Sequence, residues 1–214
     1  MRNLGEFMIG AFETGLMWAV YQDMEKAFLN FLEYVPFTDS HLKVYSHKLL
    51  QLMLQIGGYI DTSFKEMATH SSFDKNEKCQ IIREKTVKGE SVSINLAREA
   101  FEPIYHLSSK FVSVKSPEYA GCIFVDRSRP FAEFKDNKSP RWWKEYNAVK
   151  HDWLTNLKKA NIHNTLSALA GAFVLNVVHK PSIKALARWG FVKREKWNIV
   201  ETSLFLWVLS FEQN

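Results

Sequence analysis

A chain of 214 residues with 46% hydrophobic and 14% aromatic side chains has the material for one domain of ordinary size with a substantial core. Charged residues at 24% exclude wholesale disorder, and the two cysteines, Cys79 and Cys122, lack metal-type spacing, so free thiols in a reducing compartment are expected. The net charge of +5 is unevenly spread: residues 1–126 carry 13 Lys/Arg against 16 Asp/Glu, and residues 127–196 carry 15 against 5. That asymmetry fits an anionic partner for the later half, nucleic acid being the commonest, and equally a solvated basic surface.

No secretory leader is expected, because Arg2 is the one basic residue at the N-terminus and Glu6 and Glu13 interrupt the apolar stretch. The longest apolar run, Leu166 to Val178, is too short to span a bilayer and contains Ser167 and Asn176. A cytoplasmic protein with no membrane segment is the expectation. Seven Trp and sixteen Phe suggest that some aromatics serve an interface as well as the core.

In chain order, a helix is predicted from Ala11 to Tyr34, stopped by Val35-Pro36. Thr38, Asp39 and Ser40 offer N-caps for a long amphipathic helix whose apolar positions are Leu42, Tyr45, Leu49, Leu52, Ile56, Ile60, Phe64 and Met67. Gly57-Gly58 in its middle marks a kink or a close helix–helix approach. Residues 71–90 read as a polar loop with a short helix around Lys78–Lys85. Asn95 to Leu107 reads as a further helix anchored by Leu96, Phe101, Ile104 and Tyr105. Phe-Val-Ser-Val at 111–114 and Cys-Ile-Phe-Val at 122–125 predict a small β-hairpin insertion near 111–126, and Arg127 to Lys138 a polar connection.

Ser139-Pro140 opens the next helix, with Ser as N-cap and Pro at the first helical position. Trp142, Tyr146, Val149, Trp153 and Leu157 share one face of it. A helix from Asn161 to His179, closed by Pro181, packs Ile162, Leu166, Leu169, Phe173 and Val177. The apolar tail from Ile199 to Phe211 fits a buried helix or a strand equally. The expected fold is mainly α, a compact helical bundle with a small β-hairpin insertion, forming one domain over residues 1–214.

Opposite the tryptophan face, Lys144, Asn147, His151, Thr155 and Lys158 recur at spacings of three and four. The stripe has no acid. An imidazole set between amines and an amide can bind phosphate and move a proton near neutral pH, while a solvated basic face with an incidental His explains the same pattern. Lys150, Lys158, Arg127, Arg129 and Arg141 are further candidates for nucleic-acid contact, with Arg127 and Arg129 in a short polar loop. His163 and His179 lie on the neighbouring helix, within potential reach of His151, though each reads better as a polar surface residue. No histidine pair has a metal-type spacing, and no metal or cofactor is expected.

The run Trp-Trp-Lys-Glu-Tyr-Asn-Ala-Val-Lys-His-Asp at 142–152, followed by the small-residue apolar helix of Thr165–Val178, resembles the signature helices of the HEPN-like superfamily. Val44-Tyr45-Ser46-His47-Lys48-Leu49-Leu50 suits prokaryotic proteins of this kind, and the resemblance covers roughly residues 40–70 and 139–180. It implies a helical bundle, a homodimer and, in catalytic members, metal-independent endoribonuclease activity of the type found in toxin–antitoxin, abortive-infection and other antiphage systems. The family motif is an Arg, four to six residues, then a His. His151 matches the His and Asn147 the polar residue that often follows the Arg. At the Arg positions stand Tyr146, Glu145 and Lys144, of which Lys144 alone is a cation. Lysine lacks the planar bidentate fork.

The resemblance implies attack of a ribose 2′-hydroxyl on the adjacent phosphate, with His151 moving the proton, Lys144 or Lys150 steadying the phosphorane, and Asn147 orienting the imidazole. One reading is therefore an RNA-directed ribonuclease with a composite site at a homodimer seam. A catalytically inactive module that binds RNA or a protein partner is the second, and a helical regulatory or scaffold protein the third.

Overall fold

A computed structural model describes residues 4–114, 128–179, 183, 186–187, 199–202 and 205–208. Its helices are α1 (Leu4–Leu32), α2 (His47–Thr69), α3 (Glu77–Val87), α4 (Ile94–Tyr105), α5 (Arg141–His151), α6 (Trp153–Asn156) and α7 (Ile162–Val178). The fold is mainly α, as the periodicity predicts. No helix among the described residues is long and apolar enough to cross a membrane.

Helix α7 is the centre of the bundle. Fourteen of its 17 residues are buried, including the predicted Ile162, Leu166, Leu169, Phe173 and Val177. A helix apolar all round belongs in a core, and α1, α2 and α5 all pack on it. Helix α2 crosses α7 with a hydrogen bond from Tyr59 Oη to Asn176 Oδ1 (2.7 Å). Helix α1 contributes Trp18, Tyr21, Met24, Phe28 and Leu32, spaced by threes and fours.

Helix α2 begins at His47, later than the sequence pattern predicts, with Ser46 Oγ accepting the Leu49 amide (3.1 Å). Thr38 opens only a 3-10 turn over Asp39–His41, and Leu42 and Tyr45 precede the helix. The cause lies more than a hundred residues away. Leu42 and Val44 give their carbonyls to the amides of His163 and Ile162 (3.0 Å each), the orphan donors of the α7 first turn. Asn161 Oδ1 takes the amide of Asn164 (3.0 Å), completing the cap. A helical 42–45 would spend those carbonyls on itself.

Further differences have local causes. In α4 the buried side is Ile94, Ala97, Ala100 and Phe101, whereas the predicted anchor Ile104 is 41% exposed. The connection before α5 is polar only in part, since Phe131 and Phe134 are buried around a 3-10 turn at Ala132–Asp136. Strand β1 (Ser113–Val114) lies within the expected 111–114 run, and Val112 bridges Ser128 in antiparallel fashion. The second half of the expected hairpin, 122–125, lies outside the described residues, as do Cys122 and Pro181. The described part of the tail holds strands: β2 (Ile199–Glu201) and β3 (Phe205–Val208) pair antiparallel, and β3 also pairs with β1, giving the order β1-β3-β2. Thr202 Oγ1 hydrogen-bonds the buried Glu25 carboxylate, which also accepts from Tyr21 Oη (3.2 Å), tying the tail to α1.

Helix α5 rests on α2 through one glycine. A Cβ built on Gly57 would lie 2.1 Å from Tyr146 Cε2, whereas one on Gly58 meets nothing within 4 Å. The glycine pair thus marks a close approach at its first member only. Gly57→Ala is expected to destabilise the fold by about 1–3 kcal/mol through overpacking against the buried Tyr146 ring. Gly58→Ala should stabilise it by up to about 1 kcal/mol from helix propensity. Denaturant unfolding of the two variants checks the opposite signs.

Candidate functional site

The aromatic side of α5 fixes how its other side is presented. Trp142, Trp143, Tyr146 and Val149 are buried. Trp142 Nε1 donates to Pro130 O (2.6 Å), and its ring lies against Gly171 of α7, where an added Cβ would meet Cζ2 at 3.2 Å. Trp142 and Tyr146 therefore seat one helix on two glycines, from α7 and α2. The Ser139 cap does not form: Ser139 Oγ lies 3.5 Å from Asn95 Oδ1 instead, and Glu133 Oε1 accepts the Arg141 amide (3.2 Å). A carboxylate at this end suits the helix dipole.

Lys144, Asn147 and His151 occupy one outer side of α5, with Lys144 and His151 exposed and Asn147 half-buried. Among the described residues no hydrogen bond or ion pair engages these three side chains. Lys150 is exposed and its ammonium lies 5.8 Å from the centre of the Tyr146 ring, a cation–π contact. Glu145, the one acid of the helix, pairs with Lys159 (3.2 Å). Burial and the nearby Asp61 carboxylate raise the Tyr146 phenol above its ordinary value, so it is neutral at pH 7.

The predicted stripe is cut after His151. Asp152 adopts φ −150° and ψ 81° and caps α6, its Oδ1 accepting the Thr155 amide (3.3 Å) and its carbonyl the Asn156 side-chain amide (2.8 Å). Asx capping competes with helix continuation and wins here. Thr155 and Lys158 therefore leave the line of Lys144, Asn147 and His151, though both remain exposed. The break also ends the apolar face: Trp153 is 50% and Leu154 75% exposed, while Leu157 packs on the core.

A second group forms at the opposite end of α5. Arg129 and Arg141 line one cleft of about 240 Å³ with Ser128, Glu133, His163 and Ser167. Burial and the adjacent Arg141 cation both lower the His163 imidazole below its ordinary value. His163 is thus gathered with Arg141, about 15 Å along the helix axis from the His151 end at 1.5 Å per residue. His163, in potential reach of His151 by sequence, lines this cleft instead, and His179 is buried elsewhere rather than at the surface. Sequence reasoning paired Arg129 with Arg127, which lies outside the described residues, and missed Arg141 and His163 as its neighbours.

Among the described residues no group of three or more His, Cys, Asp or Glu is placed to hold a metal ion. No family model, curated protein or solved structure matches the chain.

His179 is buried at the end of α7, its ring 5.3 Å edge-on from His70 and 6.5 Å from Phe73. Burial, and secondarily His70, brings its imidazole down to about 4 from the ordinary 6.5. The unfolded chain binds this proton more readily, so the stabilising effect is full above about pH 6.5 and is lost as pH falls towards 4. Stability should fall by up to about 3 kcal/mol across that window from this group. His179→Leu should flatten the corresponding slope in urea titrations run at a series of pH values.

Proposed function

We propose that this chain is a HEPN-like, RNA-directed cytoplasmic protein that meets the RNA backbone with the outer face of α5. His151 on that face performs metal-independent endoribonucleolytic proton transfer. The observation that carries the reading is the presentation of Lys144, Asn147 and His151 on one accessible side of a helix whose other side is buried. Such a helix holds its outer groups in fixed register, which proton transfer to a bound phosphodiester requires.

In the proposed reaction His151 takes the proton of a ribose 2′-hydroxyl as its oxygen attacks the adjacent phosphorus. The bond to the 5′-oxygen breaks, and that oxygen takes the proton back from the His151 imidazolium, giving a 2′,3′-cyclic phosphate and a 5′-hydroxyl. Lys144 offsets the charge gathering on the phosphorane oxygens, and Asn147, one turn before His151, orients the ring or the phosphate. A homodimer would bring two such faces to one cleft. Trp153 and Leu154, exposed just beyond Asp152, support a second copy as the cover for this edge.

The second reading, a catalytically inactive module that binds RNA or a protein partner, is favoured by one feature. Lys144 stands where the motif has Arg, and an ammonium grips a phosphate with less geometric control.

RNA affinity should fall linearly with the logarithm of salt concentration, and Lys144→Ala and Lys150→Ala should each lower the slope by about 1. Filter binding across a salt series measures both, and salt-insensitive binding would remove the reading. In EDTA, wild-type protein should cleave single-stranded RNA and His151→Ala should do so about 10²–10⁴-fold more slowly with its fold intact. Lys144→Arg should raise the rate. Binding without cleavage in any of these proteins would establish the inactive module.

A further inference from the structure

The cleft at the start of α5 is separate from the outer face invoked above and does not depend on it. Arg129 and Arg141 reach it from different segments, one just after the Val112–Ser128 bridge and the other at the first residue of α5. Among the described residues neither guanidinium has a carboxylate within ion-pair distance. Glu133 lines the same cleft, yet one of its oxygens is engaged by the Arg141 backbone amide. Arg129 and Arg141 line one concavity, where an entering anion gains from both charges. Guanidiniums also present planar donor forks that match phosphate oxygens.

The walls narrow the choice of ligand. Ser128 and Ser167 add hydroxyls to the lining, and His163 adds an imidazole. At about 240 Å³ the cleft lies below the range of drug-sized pockets, roughly 300–1,000 Å³, and suits one phosphate with its attached sugar. A lone inorganic phosphate would bring no donor to the second oxygen of Glu133, whereas a sugar hydroxyl can donate to it. The cleft floor is rigid, because Trp142 is fixed there by its bond to Pro130 O and its contact with Gly171.

We propose that this cleft is a binding site for the phosphomonoester of a nucleotide, free or at the 5′ end of an RNA, gripped by Arg129 and Arg141. The sugar lies towards Glu133.

Calorimetric titration of the full chain with AMP and with adenosine tests the assignment. AMP should bind at least about tenfold more tightly, since charged hydrogen bonds to the phosphate carry the affinity. Arg129→Gln and Arg141→Gln should each weaken AMP by about tenfold or more with unchanged thermal melting. Both arginines are exposed, so the folded state should tolerate these changes. Lys144→Ala and His151→Ala should leave AMP binding as it is, which separates this site from the outer face of α5. A 5′-phosphorylated oligoribonucleotide that binds more tightly than its 5′-hydroxyl counterpart would identify an RNA end as the source. Equal binding of the two, with AMP still bound, would identify the free nucleotide. Equal affinities for AMP and adenosine, absence of AMP binding at millimolar concentration, or AMP binding unchanged in both arginine variants would overturn the proposal.

Discussion

The seating of two aromatic rings on two glycines decides where α5 lies, and much of the functional surface follows from it. Tyr146 occupies the space that a side chain at Gly57 would fill, and Trp142 lies against Gly171. Because the two glycines belong to different helices, α5 is held at two points and cannot roll about its axis without losing one of them. The same Trp142 contacts Phe131 (5.9 Å), which meets Phe64 of α2 (6.3 Å), which stacks on Phe101 of α4 (5.7 Å). A continuous aromatic path therefore runs from α5 through the middle of the bundle. Aromatic pairs of this kind add to the stabilisation from burial alone, and their shapes admit few alternative packings.

The two ends of α5 have different electrostatic character for reasons of local structure. At its start, Glu133 covers the first amide while two arginines converge outside it. At its end, Lys150 and His151 occupy the last turn, where the helix dipole favours positive charge. Acids are scarce over this stretch, and Glu145 is taken up by Lys159. Among the described residues, part of the positive balance of the later half of the chain thus lies at two separate places along one helix.

Helix type and core face were readable wherever a long periodic pattern acted alone. Leu49, Leu52, Ile56, Ile60, Phe64 and Met67 are all buried as their spacing requires, and so are the central apolar residues of α7. The reading failed where a distant partner overrode the local signal. Leu42 and Tyr45 continue the helical spacing of α2, but the carbonyls around them are committed to the first turn of α7. Asp152 lies inside a good helical projection, yet its carboxylate finds the Thr155 amide and turns the chain. Gly57 and Gly58 are adjacent and chemically identical; only the position of Tyr146 distinguishes them. The candidate stripe was legible as far as Lys144, Asn147 and His151, which share one helix. The meeting of Arg129, Arg141 and His163 was not, because tertiary packing brings together three segments with no common periodicity.

The pairing of Leu42 and Val44 with the start of α7 bears on how the chain reaches its fold. The Ile162 and His163 amides donate to carbonyls about 120 residues earlier in the sequence, so this turn is completed by tertiary assembly and not by local helix formation. Closing so long a loop carries an entropic cost before the contact returns anything, which makes it a poor nucleus and a late event in folding. During synthesis, the segment before α2 emerges well ahead of the residues that it will hold. Its carbonyls have no such partners until α7 is made, so the central helix of the bundle is fastened at its first turn only after α1 to α6 have been synthesised.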